Sequence, residues 1–123
     1  MHVLIVTAHP DPRSYTHAAV ARLVAGQETN PGATHEVADL AAEGFDPRFT
    51  ATDNEQFHGR ADDADGIVAE QRRIDRADML VLVFPVYWWS MPAVMKGWID
   101  RVFTSGWAYI DDPRRERPDC WAG

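Results

Sequence analysis

Cysteine occurs once in this sequence, at Cys120, so the chain has no internal disulfide. That fits a reducing compartment, and a single thiol of this kind is read as incidental, not as a nucleophile. Positive charge is also short: twelve basic residues face nineteen acidic ones, for a net charge of −7. A surface of that sign repels nucleic acid and anionic membranes at long range, so any bound phosphate must be held by local donors. Long apolar runs are missing too. The longest, Met79 to Trp89, is interrupted by Pro85 and is about half of the roughly 20 residues that a membrane span needs. No basic leader precedes the short apolar run at Val3 to Val6, so no secretion signal is expected. Together these absences lead us to expect a cytoplasmic chain with a small-molecule or protein partner and no direct membrane insertion. Finally, no glycine occurs between Met1 and Ala25. The glycine-rich fingerprint of a dinucleotide-binding Rossmann entry is therefore absent.

The 123 residues, 46% of them hydrophobic, suit one globular domain. Val3 to Val6 is a continuous apolar run bounded by Ala8-His9-Pro10-Asp11-Pro12, which predicts a strand buried on both faces. Ala18, Ala19, Ala21, Leu23 and Val24 predict a helix, ended by Gly26 and the breakers Asn30-Pro31-Gly32. His35 to Leu40 reads as a second, more exposed strand. Residues 41–65 are rich in Asp, Gly, Pro and Thr and read as a long ordered loop, a feature that is often functional. From Gly66, the spacing of Ile67, Gln71, Ile74 and Ala77 or Asp78 predicts a helix with Arg72, Arg73 and Asp75 turned outward. Met79 to Phe84 is the strongest strand signal, again of a composition suited to burial on both sides. After a loop at residues 85–90, Pro92 suits a first helical turn, with Ser90 or Met91 near the cap. Met95, Trp98, Ile99, Val102 and Phe103 then form an apolar stripe, with Lys96 and Asp100 opposite it.

Strands alternating with helices imply a parallel sheet covered on its faces. Ligands of such sheets bind beyond the carboxyl ends of the strands, which here means residues 8–16 and 85–90. The first loop enters a helix, and the free N–H groups of that helix, with the Ser14 and Thr16 hydroxyls, suit a phosphate. His9 and Arg13 add hydrogen-bonding or positive character. The residues alone leave open whether Ser14 does more than cap the helix. Ala8-His9-Pro10-Asp11 also resembles the opening of the zinc-dependent deacetylase motif A-H-P-D-D-E. Pro12 and Arg13 stand where that motif has its ligand and its base, and neither can coordinate zinc or accept a proton. No metal site is expected.

The second loop, Phe84-Pro85-Val86-Tyr87-Trp88-Trp89-Ser90-Met91-Pro92, places three consecutive aromatics between strand and helix. A flat conjugated ligand would gain about 0.5–1.5 kcal/mol per stacked aromatic pair beyond burial. Plugging the core or a dimer contact is the alternative role for Trp88 and Trp89. The segment from Val83 to Phe103, with Ile67-Val68-Ala69-Glu70-Gln71, Ala77-Asp78, Gly106-Trp107-Ala108-Tyr109 and the opening Ala8-His9-Pro10 with Ser14-Tyr15, resembles the flavin-binding NAD(P)H:quinone oxidoreductases. The likeness covers most of residues 3–109.

The resemblance implies an α/β, flavodoxin-like doubly wound parallel sheet in three layers, carrying FAD or FMN, usually in a homodimer. It implies that His9, Ser14, Tyr15 and Thr16 hold the flavin's phosphate and ribityl region. Pro85, Val86, Tyr87 and Trp88 contact its ring, and Trp89 and Tyr109 line the pocket where nicotinamide and quinone alternate. The implied chemistry passes hydride from NAD(P)H to the flavin and then to a quinone, with no protein nucleophile. Residues 1–109 are thus expected to be the N-terminal part of the flavin-binding domain, with the first three strands of an incomplete sheet in the order 2-1-3 and the third strand as an uncovered edge. Residues 110–123 are expected to form an irregular charged tail in place of the family's next strand. Relatives of this type also act as ancillary partners of glutathione-gated potassium-efflux systems. A regulatory subunit and an inactive truncated remnant therefore stand beside the enzyme as alternatives.

Overall fold

The computed structural model describes residues 1–109; the tail expected at 110–123 lies outside the described residues. Three parallel strands, β1 (His2–Thr7), β2 (Thr34–Asp39) and β3 (Met79–Val83), form one sheet in the order β2-β1-β3. Four helices accompany them: α1 (Tyr15–Glu28), α2 (Ala51–Phe57), α3 (Ile67–Asp75) and α4 (Ala93–Val102). The central strand is β1, in register with Thr34 to Asp39 on one side and with Met79 to Val83 on the other. Its side chains alternate between two cores, as a pleated strand requires. Leu4 and Val6 join Ala38, Leu40, Ile67, Met95, Trp98 and Val102 on the face covered by α3 and α4. Val3 and Ile5 meet Val20 of α1, with Val24, Val37, Val81 and Val83 around them. Burial of β1 on both faces is therefore as its composition predicts.

β3 is the uncovered edge expected of the third strand among the described residues, and it lacks the two-sided burial its composition suits. Met79 is exposed and Leu80 to Val83 are half-buried, because β3 has a strand partner on one side only among the described residues. α1 also runs through Gly26 to Glu28 before ending. Pro92 is the N-cap of α4 itself, without a side-chain capping bond, and its extended backbone suits a ring that cannot donate a hydrogen bond.

Residues 41–65 are not a continuous loop, because α2 lies within them. This seven-residue helix lacks an apolar stripe and is held by its ends. Thr50 Oγ1 accepts from the Asp53 N–H, while the Asp53 carboxylate accepts from the Thr50 N–H at 2.7 Å, a reciprocal capping box. Gln56 Oε1 then accepts from the Ala64 N–H, closing the turn that follows. The segment is fastened to α4 by Arg101, whose side chain is only 4% exposed. Arg101 Nε donates to Asp53 Oδ1 at 2.8 Å and Nη1 donates to the Asp46 carbonyl at 2.8 Å, with the guanidinium over the Phe45 ring. Helix and segment approach so closely that a Cβ at Gly97 would collide with the Pro47 backbone. Arg73, expected to point outward, is mostly buried among Glu36, Glu43 and Glu70, where it links α3 to the β2 strand.

Burial alone would raise the Asp53 carboxyl, but hydrogen bonds from Thr50 and Arg101 outweigh it and hold the group below its ordinary 3.8. A carboxylate depressed in this way stabilises the fold above pH 3.8 and loses that contribution as pH falls through the lower folded-state value. Asp53→Asn removes the buried counter-charge of Arg101 and leaves only the exposed Asp65 carboxylate, 3.6 Å away, a loss of about 3–5 kcal/mol at neutral pH. Urea unfolding should show that gap at pH 7 and a narrowing gap below pH 3.8, where the wild-type carboxyl protonates as well. A gap that persists undiminished in acid would contradict this role for the pair.

Candidate functional site

The order of the strands decides where the two expected loops meet. The chain leaves β1 toward β2 on one side of the sheet and later returns as β3 on the other, which puts the switch in strand order between β1 and β3. The loop at 8–14 leaves the carboxyl end of β1, and the loop at 84–92 leaves that of β3. A cleft of about 550 Å³ lies between them, lined by His9, Asp11, Arg13, Ser14, Tyr15, Thr16, Ala18 and Pro85. A second, more apolar hollow of about 340 Å³ joins Ala8, His9 and Pro10 to Tyr87, Pro92, Ala93 and Val94.

The donors at the start of α1 fit an anion. Ser14 is the N-cap and accepts from the His17 N–H at 3.2 Å. The Ala18 N–H is satisfied by the Ser14 carbonyl, whereas the Tyr15 and Thr16 N–H groups have no partner among the described residues. Those are the orphan donors that a helix N-terminus offers to a phosphate. The Asp11 N–H donates to His9 Nδ1 at 3.0 Å, so the ring proton sits on Nε2 and His9 is a second donor at the cleft. Arg13 lies at the rim, 90% exposed and 3.5 Å from Asp11. Ser14 thus does cap the helix, and capping leaves its neighbours' amides free.

The aromatic loop is a tight turn. The Tyr87 N–H donates to the Ser90 carbonyl at 2.9 Å, and the Ser90 N–H donates back at 3.0 Å. Its two central residues, Trp88 and Trp89, have φ of 49° and 60°, the left-handed region that bulky side chains avoid. Both are 88% exposed, so they do not plug the core. A strained backbone that holds two indoles in solvent marks the turn as a candidate binding or contact surface.

Of the ten residues singled out from sequence, His9, Ser14, Tyr15, Thr16 and Pro85 share the larger cleft, and Tyr87 lines the apolar hollow. Val86, Trp88 and Trp89 are exposed beside these clefts and line neither. Tyr109 lies against Phe57, with ring centres 6.2 Å apart, and also lines neither cleft. His17 and Asp39, unmarked in the sequence, line a third hollow behind His9 and are bonded to each other. Only the register that sets the end of β2 beside α1 reveals that pair. Among the described residues no helix is long and apolar enough to cross a membrane.

The fold agrees with comparisons to known proteins. The model of a family with the flavodoxin-like fold matches residues 1–119, and the chain belongs to that family. Among curated relatives, ribosyldihydronicotinamide dehydrogenase [quinone] of Pongo abelii is 36% identical over 123 residues, covering 87% of this chain and 53% of the relative. Among solved structures, an NAD(P)H:quinone oxidoreductase from Methanothermobacter marburgensis superposes with a TM-score of 0.82 at 33% identity, over 89% of this chain and 56% of that one. The general stress protein 14 of Treponema denticola, solved in complex with FMN, gives 0.58 at 31% identity, over 89% and 52%. The chain spans about half the length of the curated relatives it matches.

The strain in the turn is testable without a ligand. Asn-Gly suits two successive positive φ values, and each tryptophan held there costs about 1–3 kcal/mol. The double substitution Trp88→Asn, Trp89→Gly should therefore raise stability by about 1–2 kcal/mol in urea unfolding, since little buried area is lost. A fall in stability would show that the indoles support the fold.

Proposed function

We propose that this chain supplies the cofactor-binding part of a flavin-dependent NAD(P)H:quinone oxidoreductase of the cytoplasm, working as a homodimer. The observation that carries the reading is the single cleft joining the free amides of Tyr15 and Thr16 to Pro85, beside a strained turn that presents Trp88 and Trp89. In this reading His9, Ser14, Tyr15 and Thr16 hold the phosphate and ribityl region of FMN or FAD. Pro85, Val86, Tyr87 and Trp88 meet the ring, while Trp89 and Tyr109 border the space for nicotinamide and quinone.

A flavin held there would supply the hydride-transfer chemistry between NAD(P)H and a quinone. The chain's own residues position and shield. The start of α1 answers negative charge with fixed N–H dipoles, which a protein of net charge −7 needs at the site of an anion. His9 donates from Nε2. The aromatic turn would offer flat apolar surface to the ring and shield it from water. No side chain is required to form a covalent bond.

An absorbance spectrum of the purified chain, taken after loading with FMN or FAD and removal of free ligand, tests this reading. Retained flavin bands that NAD(P)H bleaches and a quinone restores are expected. A chain that retains neither flavin would overturn it.

A further inference from the structure

Ser14 lines the cleft, His17 and Asp39 line the neighbouring hollow, and the three form a hydrogen-bonded chain. Ser14 Oγ lies 3.1 Å from His17 Nδ1, and His17 Nε2 lies 2.9 Å from Asp39 Oδ2. Asp39 is itself fixed, since its other oxygen accepts from the Ala42 N–H at 3.2 Å. The imidazole is largely buried, with its side chain 17% exposed. We propose that His17, locked by Asp39, is a positioning residue that sets the direction of the Ser14 hydroxyl proton and makes the phosphate cradle respond to protonation. The proposal rests on the flavin reading of this cleft.

The direction follows from donor and acceptor counts. An ionised carboxylate only accepts, so the proton facing Asp39 stays on Nε2. In the neutral ring Nδ1 is then a bare lone pair, and the one proton available between Nδ1 and Ser14 is the hydroxyl's own. Ser14 spends it on the ring, gives one lone pair to the His17 N–H, and has only its other lone pair left for the cleft, where a phosphate oxygen would be repelled. When Nδ1 gains a proton, the ring donates to Ser14 Oγ, and the hydroxyl proton is released toward the cleft. The same event places a positive charge one and two residues from the unpaired Thr16 and Tyr15 amides. Protonation of His17 and binding of a phosphate therefore favour each other, and by linkage the effect is reciprocal.

The other charged groups around His17 act on it differently. Asp39, at the end of β2, holds the ring in both states. His9 meets the His17 ring edge-on with centroids 6.3 Å apart, but its Nδ1 is occupied by the Asp11 N–H. Asp11 and Arg13 pair with each other on the loop, and Glu43, beyond Ala41 and Ala42, is engaged by Arg73. None of these can replace His17 as donor to Ser14, though a phosphate on the ligand takes up a proton of its own at about pH 6. That contribution survives removal of the His17 imidazole and can be subtracted.

The test is the affinity of the full chain for FMN and for riboflavin, read by flavin fluorescence between pH 5.5 and 8, in wild type, His17→Leu and His17→Gln. The wild-type preference for FMN over riboflavin should rise about tenfold more toward pH 5.5 than that of His17→Leu, a coupling of the usual size for linked sites. His17→Gln, whose amide donates at every pH, should recover FMN affinity relative to His17→Leu without restoring the pH dependence. In the wild-type chain, the His17 ring signals followed by NMR should titrate at higher pH with FMN bound than without it. FMN binding with the same pH profile in wild type and His17→Leu, or an unmoved His17 titration, overturns this inference and leaves the flavin site standing. Failure of both FMN and riboflavin to bind wild type overturns the flavin reading and this inference with it.

Discussion

β1 is hydrogen-bonded in parallel to β2 on one side and to β3 on the other, so the chain must cross back over the sheet before each new strand. Every connection that leaves a strand therefore leaves from the same end. That constraint alone brings His9 to Thr16 beside Pro85 and Tyr87, although more than sixty residues separate the two loops. It also sets Asp39, the last residue of β2, against the first turn of α1, where it meets His17. A site made this way needs few dedicated residues, because the sheet supplies the positions and the start of α1 supplies the charge.

The second loop depends on α4 being held at a fixed height, and α4 is held by a buried charge. Arg101 costs several kcal/mol to desolvate, a cost offset by Asp53, by the Asp46 and Ala64 carbonyls and, at 3.6 Å, by the exposed Asp65. Those partners all come from the segment between β2 and α3, so the packing of α4 and the folding of that segment are one event. Trp98 ties the same helix to α3 through its indole N–H, which donates to Glu70 at 3.0 Å. The glycine at position 97, where a side chain would strike Pro47, lets the two come together.

How much of this was legible in the sequence depended on the kind of signal. Continuous apolar runs gave β1 and β3, and the mixed stretch from His35 to Leu40 gave β2, each within a residue or two; the loops after β1 and β3 gave both halves of the cleft. The stripe from Met95 to Val102 marked α4 because burial of a helix face leaves a periodic trace. α2 left none, since its stability lies in a capping box and in side chains that reach a distant arginine. Arg73 looked solvent-facing because nothing in its local spacing reports three glutamates brought in from other elements. The composition of β3 predicted burial that one flanking strand does not provide. The turn at Trp88 and Trp89 was visible as a row of aromatics, but its positive φ values were not, because a backbone angle forced by tertiary context has no residue code when glycine and asparagine are absent.

The central claim is that the free amides at the start of α1 and the loop after β3 hold one flavin between them. Backbone amide shifts recorded by two-dimensional NMR during an FMN titration test it directly. Tyr15 and Thr16, together with Val86 to Ser90, should move the most, while amides at the amino ends of β1 and β3 stay in place. Shifts confined to one loop, or centred at the opposite end of the sheet, would contradict it.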